Sequence, residues 1–298
     1  MGSKRGGKKS AGARLIERFR VTDGKGFRLS RCNSAETAGL EKKDAEERLE
    51  LGVQRLAELQ EQLYAQDRWG VLLIFQAMDA AGKDGAIEHV MSGVNPQGVQ
   101  VFSFKAPSAE ELDHDFLWRS LTRLPERGRI GIHNRSWYEE VLIVRVHPTI
   151  LAGQHLPERL VTKRIWQERL ADIAAFESYF ARQGFLVLKF FLHVSKEEQK
   201  RRFLSRLDEP EKNWKFALGD IREREHWDAY MEAYEEAIRA TATPEAPWHV
   251  VPADHKWFTR LAVAETIVDA IEKLDLEWPK PNLTKADIAA ARKSLEKG

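Results

Sequence analysis

Residues 71–85, VLLIFQAMDAAGKDG, set an apolar run, a bend of small residues and Gly82-Lys83 in direct succession. That order suits a phosphate-binding loop, where backbone N–H groups at a helix N-terminus converge on an anion and a lysine reaches the outer phosphates. Against the pattern G-x-x-x-x-G-K-[ST], however, Ala77 stands at the first glycine and Asp84 at the hydroxyl position. Two readings therefore stand side by side: a phosphate loop with altered metal chemistry, or an ordinary strand-to-helix turn that contains Gly-Lys. Ala80, Ala81 and Gly82 supply the bend that either reading needs. The missing hydroxyl is the one that normally ligates magnesium, and Asp79 and Asp84 are hard oxygen donors able to replace it. Asp79 beside a phosphate would be repulsive without a metal between them, while as a helix N-cap it would need none.

Other cations are placed to join this loop. HNRSWYEEVLIVRVHP, residues 133–148, follows a strand candidate, and ligands of open α/β sheets sit beyond the carboxyl ends of the strands. Asn134, Arg135 and Glu139 should therefore face Lys83, and a guanidinium at Arg135 can bind phosphate oxygens bidentately. Farther along, residues 197–241 carry Arg201, Arg202, Arg206, Lys212 and Lys215 in a stretch dense in charge and aromatics, with little to bury on one face. Such a stretch reads as a mobile helical lid at about 200–240. His114, His133, His147, His155 and His193 are scattered without zinc-type spacing and read as structural.

The elements that must hold these residues follow from periodicity. In 41–66, Leu49, Val53, Leu56, Leu59 and Leu63 recur at steps of three and four, which predicts an amphipathic helix. Val71 to Phe75 is a continuous apolar run, as in a strand covered on both faces. Strand candidates at 99–104, 129–134, 184–194 and 248–253 alternate with helical patterns at 82–91 and 108–124 and with a further helix before 184. The alternation predicts a mostly parallel sheet between two helix layers.

Composition narrows the rest. A chain of 298 residues that is 43% apolar can bury a full core, and the absence of a Pro- or Ser-rich linker favours a single domain over 15–298. Residues 1–14 are basic and nearly devoid of apolar side chains, and read as a disordered arm. The 47 Lys and Arg nearly balance 46 Asp and Glu, so no overall charge draws the chain to nucleic acid or an anionic membrane, and anion binding must be local. A single cysteine, Cys32, and no apolar run of membrane length point to a cytoplasmic protein.

Taken together, these segments resemble the polyphosphate kinase 2 family over nearly all of the chain from about residue 30. The resemblance is carried by DAAGKDG (79–85), SFKAP (103–107), HDFLWR (114–119), NRSWYE (134–139), the stretch around Trp214-Lys215, and APWHVVPADHK (246–256). It implies a three-layer α/β/α P-loop kinase fold related to thymidylate kinase, with a helical lid. It also implies a magnesium-dependent phosphotransferase, with manganese as an alternative ion, moving phosphate between inorganic polyphosphate and AMP, ADP or ATP. By this resemblance Asp79 is the metal-binding and phosphate-orienting residue, Lys83 the phosphate clamp, and Asp79, Lys83 and Arg135 the catalytic group. Ala80, Ala81, Gly82, Lys83, Asp84, Arg135, Arg202, Arg206, Lys212 and Lys215 are the expected polyphosphate contacts, and Lys105, Arg119, Asn134 and Glu139 the nucleotide contacts. Many members have Asp where this chain has Asn134, which places more weight on Asp79. Glu139 resembles the branch that accepts both AMP and ADP, and the family resemblance suggests a homodimer or homotetramer. The competing expectations are an ATP-dependent nucleoside monophosphate kinase on the same fold and a non-catalytic nucleotide- or polyphosphate-binding protein.

Overall fold

The computed structural model describes residues 15–297, so the arm expected at 1–14 lies outside the described residues. Six strands form one sheet: β1 (Arg20–Val21), β2 (Gly70–Ala77), β3 (Val99–Ser103), β4 (Ile130–Asn134), β5 (Phe185–His193) and β6 (Trp248–Pro252), in the order β1-β6-β5-β2-β4-β3. All pairings are parallel except that of β1 with β6, an edge pairing of two residues that the sequence pattern did not predict. The apolar run in β2 meets its expectation: Val71 to Phe75 are fully buried between β4 and β5.

Helices cover both faces. On one side lie α1 (Lys42–Gln66), α2 (Lys83–Val90) and the long C-terminal partner α7 (Lys256–Glu272); on the other are α3 (Ile165–Arg182) and α6 (Trp227–Thr241). Between α3 and α6, in chain order, come α4 (Lys196–Asp208) and α5 (Leu218–Glu225), and the described chain closes with an exposed α8 (Lys285–Leu295). The helix expected at 108–124 is two single turns instead, Ala109–Leu112 and Trp118–Leu121. The break falls where the Asp115 carboxylate accepts from the Leu117 N–H, a side-chain bond that competes with continuing the helix.

The lid expected at 200–240 is shorter than its charge density implied. Trp227, Tyr230, Tyr234, Ala237, Ile238 and Thr241 recur at helical spacing and are buried, so α6 belongs to the core. Within 200–240, the 3₁₀ turn Pro210–Lys215 and helix α5 are the elements that bury no residue. Aromatics within a charged segment were read as surface; their i, i+3, i+4 spacing is what marks the buried face.

Beneath the 133–148 stretch lies a closed polar knot. Trp137 Nε1 and the Tyr138 hydroxyl both donate to Glu177 of α3, at 3.2 and 2.8 Å. Lys189 of β5 donates to Glu177 and to the Thr241 carbonyl. Trp248 donates to the Thr241 hydroxyl. Lys189 and Glu177 have 0% and 1% of their side chains exposed, and burial disfavours the charge on each, lowering the lysine and raising the carboxyl against their mutual attraction. The aromatics of NRSWYE thus anchor the turn that carries Arg135 and Glu139. His133 and His249 are buried and held neutral, pushed down to about 4 and about 3 by desolvation, in accord with a structural reading.

Candidate active site

The loop between β2 and α2 turns on two left-handed residues, Ala80 at φ 60° and Gly82 at φ 98°. Glycine adopts that region freely; alanine does so at a cost that the surroundings must meet. They meet it with hydrogen bonds from α4. The Gln199 side-chain amide donates to the Asp79 carbonyl at 3.0 Å, and Arg202 Nη1 donates to the carbonyls of Ala80 and Ala81 at 2.9 and 2.7 Å. Helix α2 then starts at Lys83, and the first helical bond is made by Ala86 N–H to the Gly82 carbonyl. The N–H groups of Lys83, Asp84 and Gly85 precede it and lie at the positive end of the helix.

Gly82 is the N-cap of α2, and no side chain caps that terminus, so the capping reading of Asp79 is not what the structure shows. The Asp79 carboxylate instead lies 3.3 Å from Arg135 Nη2. Arg135 itself is at φ 68°, held by its N–H to the Phe75 carbonyl, and its other end is 3.9 Å from Glu139. Glu139, then Asp79, raise its pKa against the effect of burial. Lys83 is shifted the opposite way: burial first, and then Arg135, favour the neutral amine, while Glu139, Asp84 and Asp79 oppose this. A lysine kept partly out of water beside another cation is poised to gain from an arriving anion.

The loop forms the floor of a cleft of about 720 Å³. Its lining contains nine Lys and Arg against three Asp, in a chain whose net charge is only +1. Arg206, Lys212 and Lys215 project from the far side as expected, with Lys215 stacked over Trp214 and Arg206 using one donor on the Lys215 carbonyl. Arg201, named with the lid cations, lines the cleft too, while three contributors were not placed in the site from sequence: Asp220 of α5, and Lys256 and Arg260 of α7. Burial, then Arg202, Lys212 and Arg260, lower the Lys256 pKa, so these cations crowd one another in the absence of an anion. The APWHVVPADHK motif ends at Lys256, which was the available signal; Arg260 one turn later had none.

Two groups of expected contacts are placed differently. Arg202 is 6% exposed, and all five of its N–H donors have protein acceptors: Glu198, Ala80, Ala81, Ala253 and Asp254. It braces the loop from behind instead of offering a fork to a phosphate. Lys105 and Arg119 lie one strand over, past the end of β3, where Arg119 donates to the Lys105 carbonyl at 2.7 Å, pairs with Glu111 at 3.6 Å and covers Phe104. They do not line the cleft. Between the two regions stand Asn134, which donates to the Asp84 carboxylate at 2.7 Å, and Glu139, which accepts from the buried Gln76 at 2.9 Å.

Asp79 and Asp220 are the two carboxylates in this cationic cleft that no asparagine or lysine engages, and burial and then Asp79 raise the Asp220 pKa. No cluster of three or more metal-ligating side chains occurs among the described residues. One or two carboxylates completed by substrate phosphates fit magnesium, which keeps most of its shell for phosphate and water.

Comparisons with known proteins place the chain as a whole, though not its individual site residues. A family model described as Polyphosphate kinase 2 (PPK2) matches residues 39–279. An ADP-polyphosphate phosphotransferase of Rhodopseudomonas palustris is 52% identical over 266 residues, covering 89% of this chain and 92% of its own. An AMP/ADP-polyphosphate phosphotransferase of Meiothermus ruber is 44% identical over 275 residues, covering 92% and 99%. The crystal structure of polyphosphate kinase 2 from Arthrobacter aurescens TC1 superimposes with a TM-score of 0.87 at 43% identity, covering 95% of this chain and 96% of that one.

Proposed function

The chain belongs to the polyphosphate kinase 2 family, and from that premise we infer that its cleft takes inorganic polyphosphate as donor and passes the terminal phosphoryl group to AMP and to ADP. The chain is a polyphosphate-dependent nucleotide phosphotransferase. The observation that carries the assignment of the cleft is the excess of nine cations over three carboxylates at the mouth of a phosphate loop. A nucleoside triphosphate donor would need a pocket for its base, whereas a polymer of phosphates needs a track of positive charge.

The residues act by positioning and charge. The N–H groups at the start of α2, with Lys83 and Arg135, grip the terminal phosphates of the donor. The acceptor's phosphate oxygen is already ionised at neutral pH and attacks the terminal phosphorus in line. As that bond forms, the bond to the next bridging oxygen breaks, and the donor leaves one phosphate shorter. Negative charge moves onto the departing chain, where Arg206, Lys212, Lys215, Lys256 and Arg260 neutralise it. Asp79, with Asp220 opposite, would hold magnesium, which supplies charge neutralisation across the phosphates when bound.

The acceptor enters from the β3 and β4 side, past Asn134 and Glu139, with Lys105 at the outer rim. Glu139 occupies the position by which we assign acceptance of both mono- and diphosphates. The Meiothermus ruber relative is named for both acceptors, and the Rhodopseudomonas palustris relative for ADP. We place the chain in the cytoplasm as a homodimer or homotetramer, with the outer face of α1, where Leu51 and Tyr64 are exposed, as the contact; no described helix is long and apolar enough to cross a membrane. Product analysis from AMP, long-chain polyphosphate and magnesium tests the acceptor reading. ADP followed by ATP is expected, and ADP accumulating alone would limit the acceptor to AMP.

A further inference from the structure

We propose that Gln199 and Arg224 are positioning residues that couple helix α5, on the far wall of the cleft, to the main chain of the phosphate loop at Asp79. The inference rests on the functional reading above and adds to it a pair of residues that line neither the loop nor the cleft.

Gln199 is 1% exposed, and its side-chain amide spans two partners. Its nitrogen donates to the Asp79 carbonyl at 3.0 Å; its oxygen accepts from Arg224 Nη1 at 2.9 Å. The chemistry of the partners fixes this orientation, because a guanidinium can only donate and a carbonyl can only accept. Arg224 Nη1 also donates to the Lys196 carbonyl at 2.6 Å, so it grips the first turn of α4 at the same time. Its own helix is α5, which carries Asp220 into the cleft and is otherwise secured by Glu223, bonded to His147 at 2.9 Å and Tyr230 at 2.6 Å.

The consequence lies in the peptide between Asp79 and Ala80. In a trans peptide the N–H of residue 80 points opposite to the carbonyl of residue 79. Drawing the Asp79 carbonyl toward α4 therefore turns the Ala80 N–H away from α4 and holds Ala80 in its left-handed conformation. If Arg224 is withdrawn, the amide of Gln199 loses what orients it, and the peptide carrying the Asp79 side chain is released. A displacement of α5 is thus felt at the carboxylate that faces Arg135. Arg202 braces the next two carbonyls from the same helix, but without a hydrogen bond to α5; the hydrogen bonds that join α5 to the loop carbonyls run through Gln199.

Arg224→Ala in the full-length protein tests this, with Arg224→Lys as the conservative variant. Two readouts are taken: steady-state kinetics with AMP and polyphosphate, and hydrogen exchange of the 78–86 segment without substrate. The expected result for Arg224→Ala is a fall of about tenfold in kcat with KM for polyphosphate within twofold of wild type, and faster exchange in 78–86; Arg224→Lys restores both in large part. Gln199→Glu keeps an acceptor for Arg224 but presents a carboxylate to the Asp79 carbonyl, and should reproduce the loop exchange while retaining the α5 contact. If Arg224→Ala melts more than a few degrees below wild type, Arg224→Gln, which retains an uncharged NH2 donor, replaces it. Unchanged exchange and kcat would overturn the proposal, as would a loss confined to KM, which would make Arg224 a substrate contact. Wild-type protein that transfers no phosphate from polyphosphate would refute the functional reading alone, since loop exchange is read without substrate.

Discussion

Replacing Arg202 by Met separates a loop brace from a substrate contact. The guanidinium is 6% exposed, pairs with Glu198 at 2.6 Å and donates to four main-chain carbonyls. Methionine fills much of the volume but leaves Glu198, itself 12% exposed, with only the exposed Arg201 as partner, and strips donors from Ala80, Ala81, Ala253 and Asp254. Removing one member of a buried pair costs about 3–5 kcal/mol. In a chain of this length roughly 2 °C of melting temperature accompanies each kcal/mol, so a fall of about 6–10 °C is expected in the ligand-free protein. Arg202→Lys keeps the charge but at most three donors, and should fall about half as far. Scanning calorimetry without phosphate is the assay. A melting temperature within 2 °C of wild type, together with a raised KM for polyphosphate, would refute the brace and return Arg202 to the set of phosphate ligands.

Four further outcomes follow from the same geometry. Asp79→Asn should fold with an unchanged melting temperature and lose about 10²–10³ of its transfer rate, checked by coupled ATP formation; wild-type turnover would show that the carboxylate is not at the reacting phosphates. Gly82→Ala forces a side chain into φ 98° and should cost about 1–2 kcal/mol in urea unfolding, with a lower kcat. Lys189→Met should destabilise the fold by about 3–5 kcal/mol, and adding Glu177→Gln should recover a large part of that, because the single change strands a buried carboxylate. His133 and His249 are neutral in the fold down to about 4 and about 3 but protonate at 6.5 when unfolded. Stability from them is therefore complete above pH 6.5 and is lost as pH falls toward 4, by about 1.4 kcal/mol per histidine per pH unit. Urea titrations at pH 7 and 5.5 read this slope, which His133→Gln should reduce, His249 and His193, also lowered by burial, retaining the rest.

How far the sequence could be read depended on the range of the interactions involved. The apolar run 71–75, the bend at Ala80 to Gly82 and the alternation of strands and helices are local patterns, and apart from the broken helix at 108–124 each formed where expected. The same holds for Lys83 and Arg135 facing one another, because both follow the carboxyl ends of paired strands. The bracing bonds of Arg202 were not legible because its partners are far away in the chain: its acceptors at 80, 81, 253 and 254 come together only when α4 crosses behind the loop. In sequence a buried arginine and a ligand arginine look alike. Lys256 and Arg260 were missed for the complementary reason. They sit on a core helix whose first turn alone reaches the cleft, and a core helix gives no sign of which end is open.

Whether the cationic cleft holds polyphosphate as the donor is decided by supplying AMP and magnesium with either long-chain polyphosphate or ATP as the sole source of phosphate. Rapid formation of ADP from polyphosphate is expected, with slow or no formation from ATP. Transfer from ATP alone, with polyphosphate inert, would contradict it and make the chain a nucleoside monophosphate kinase.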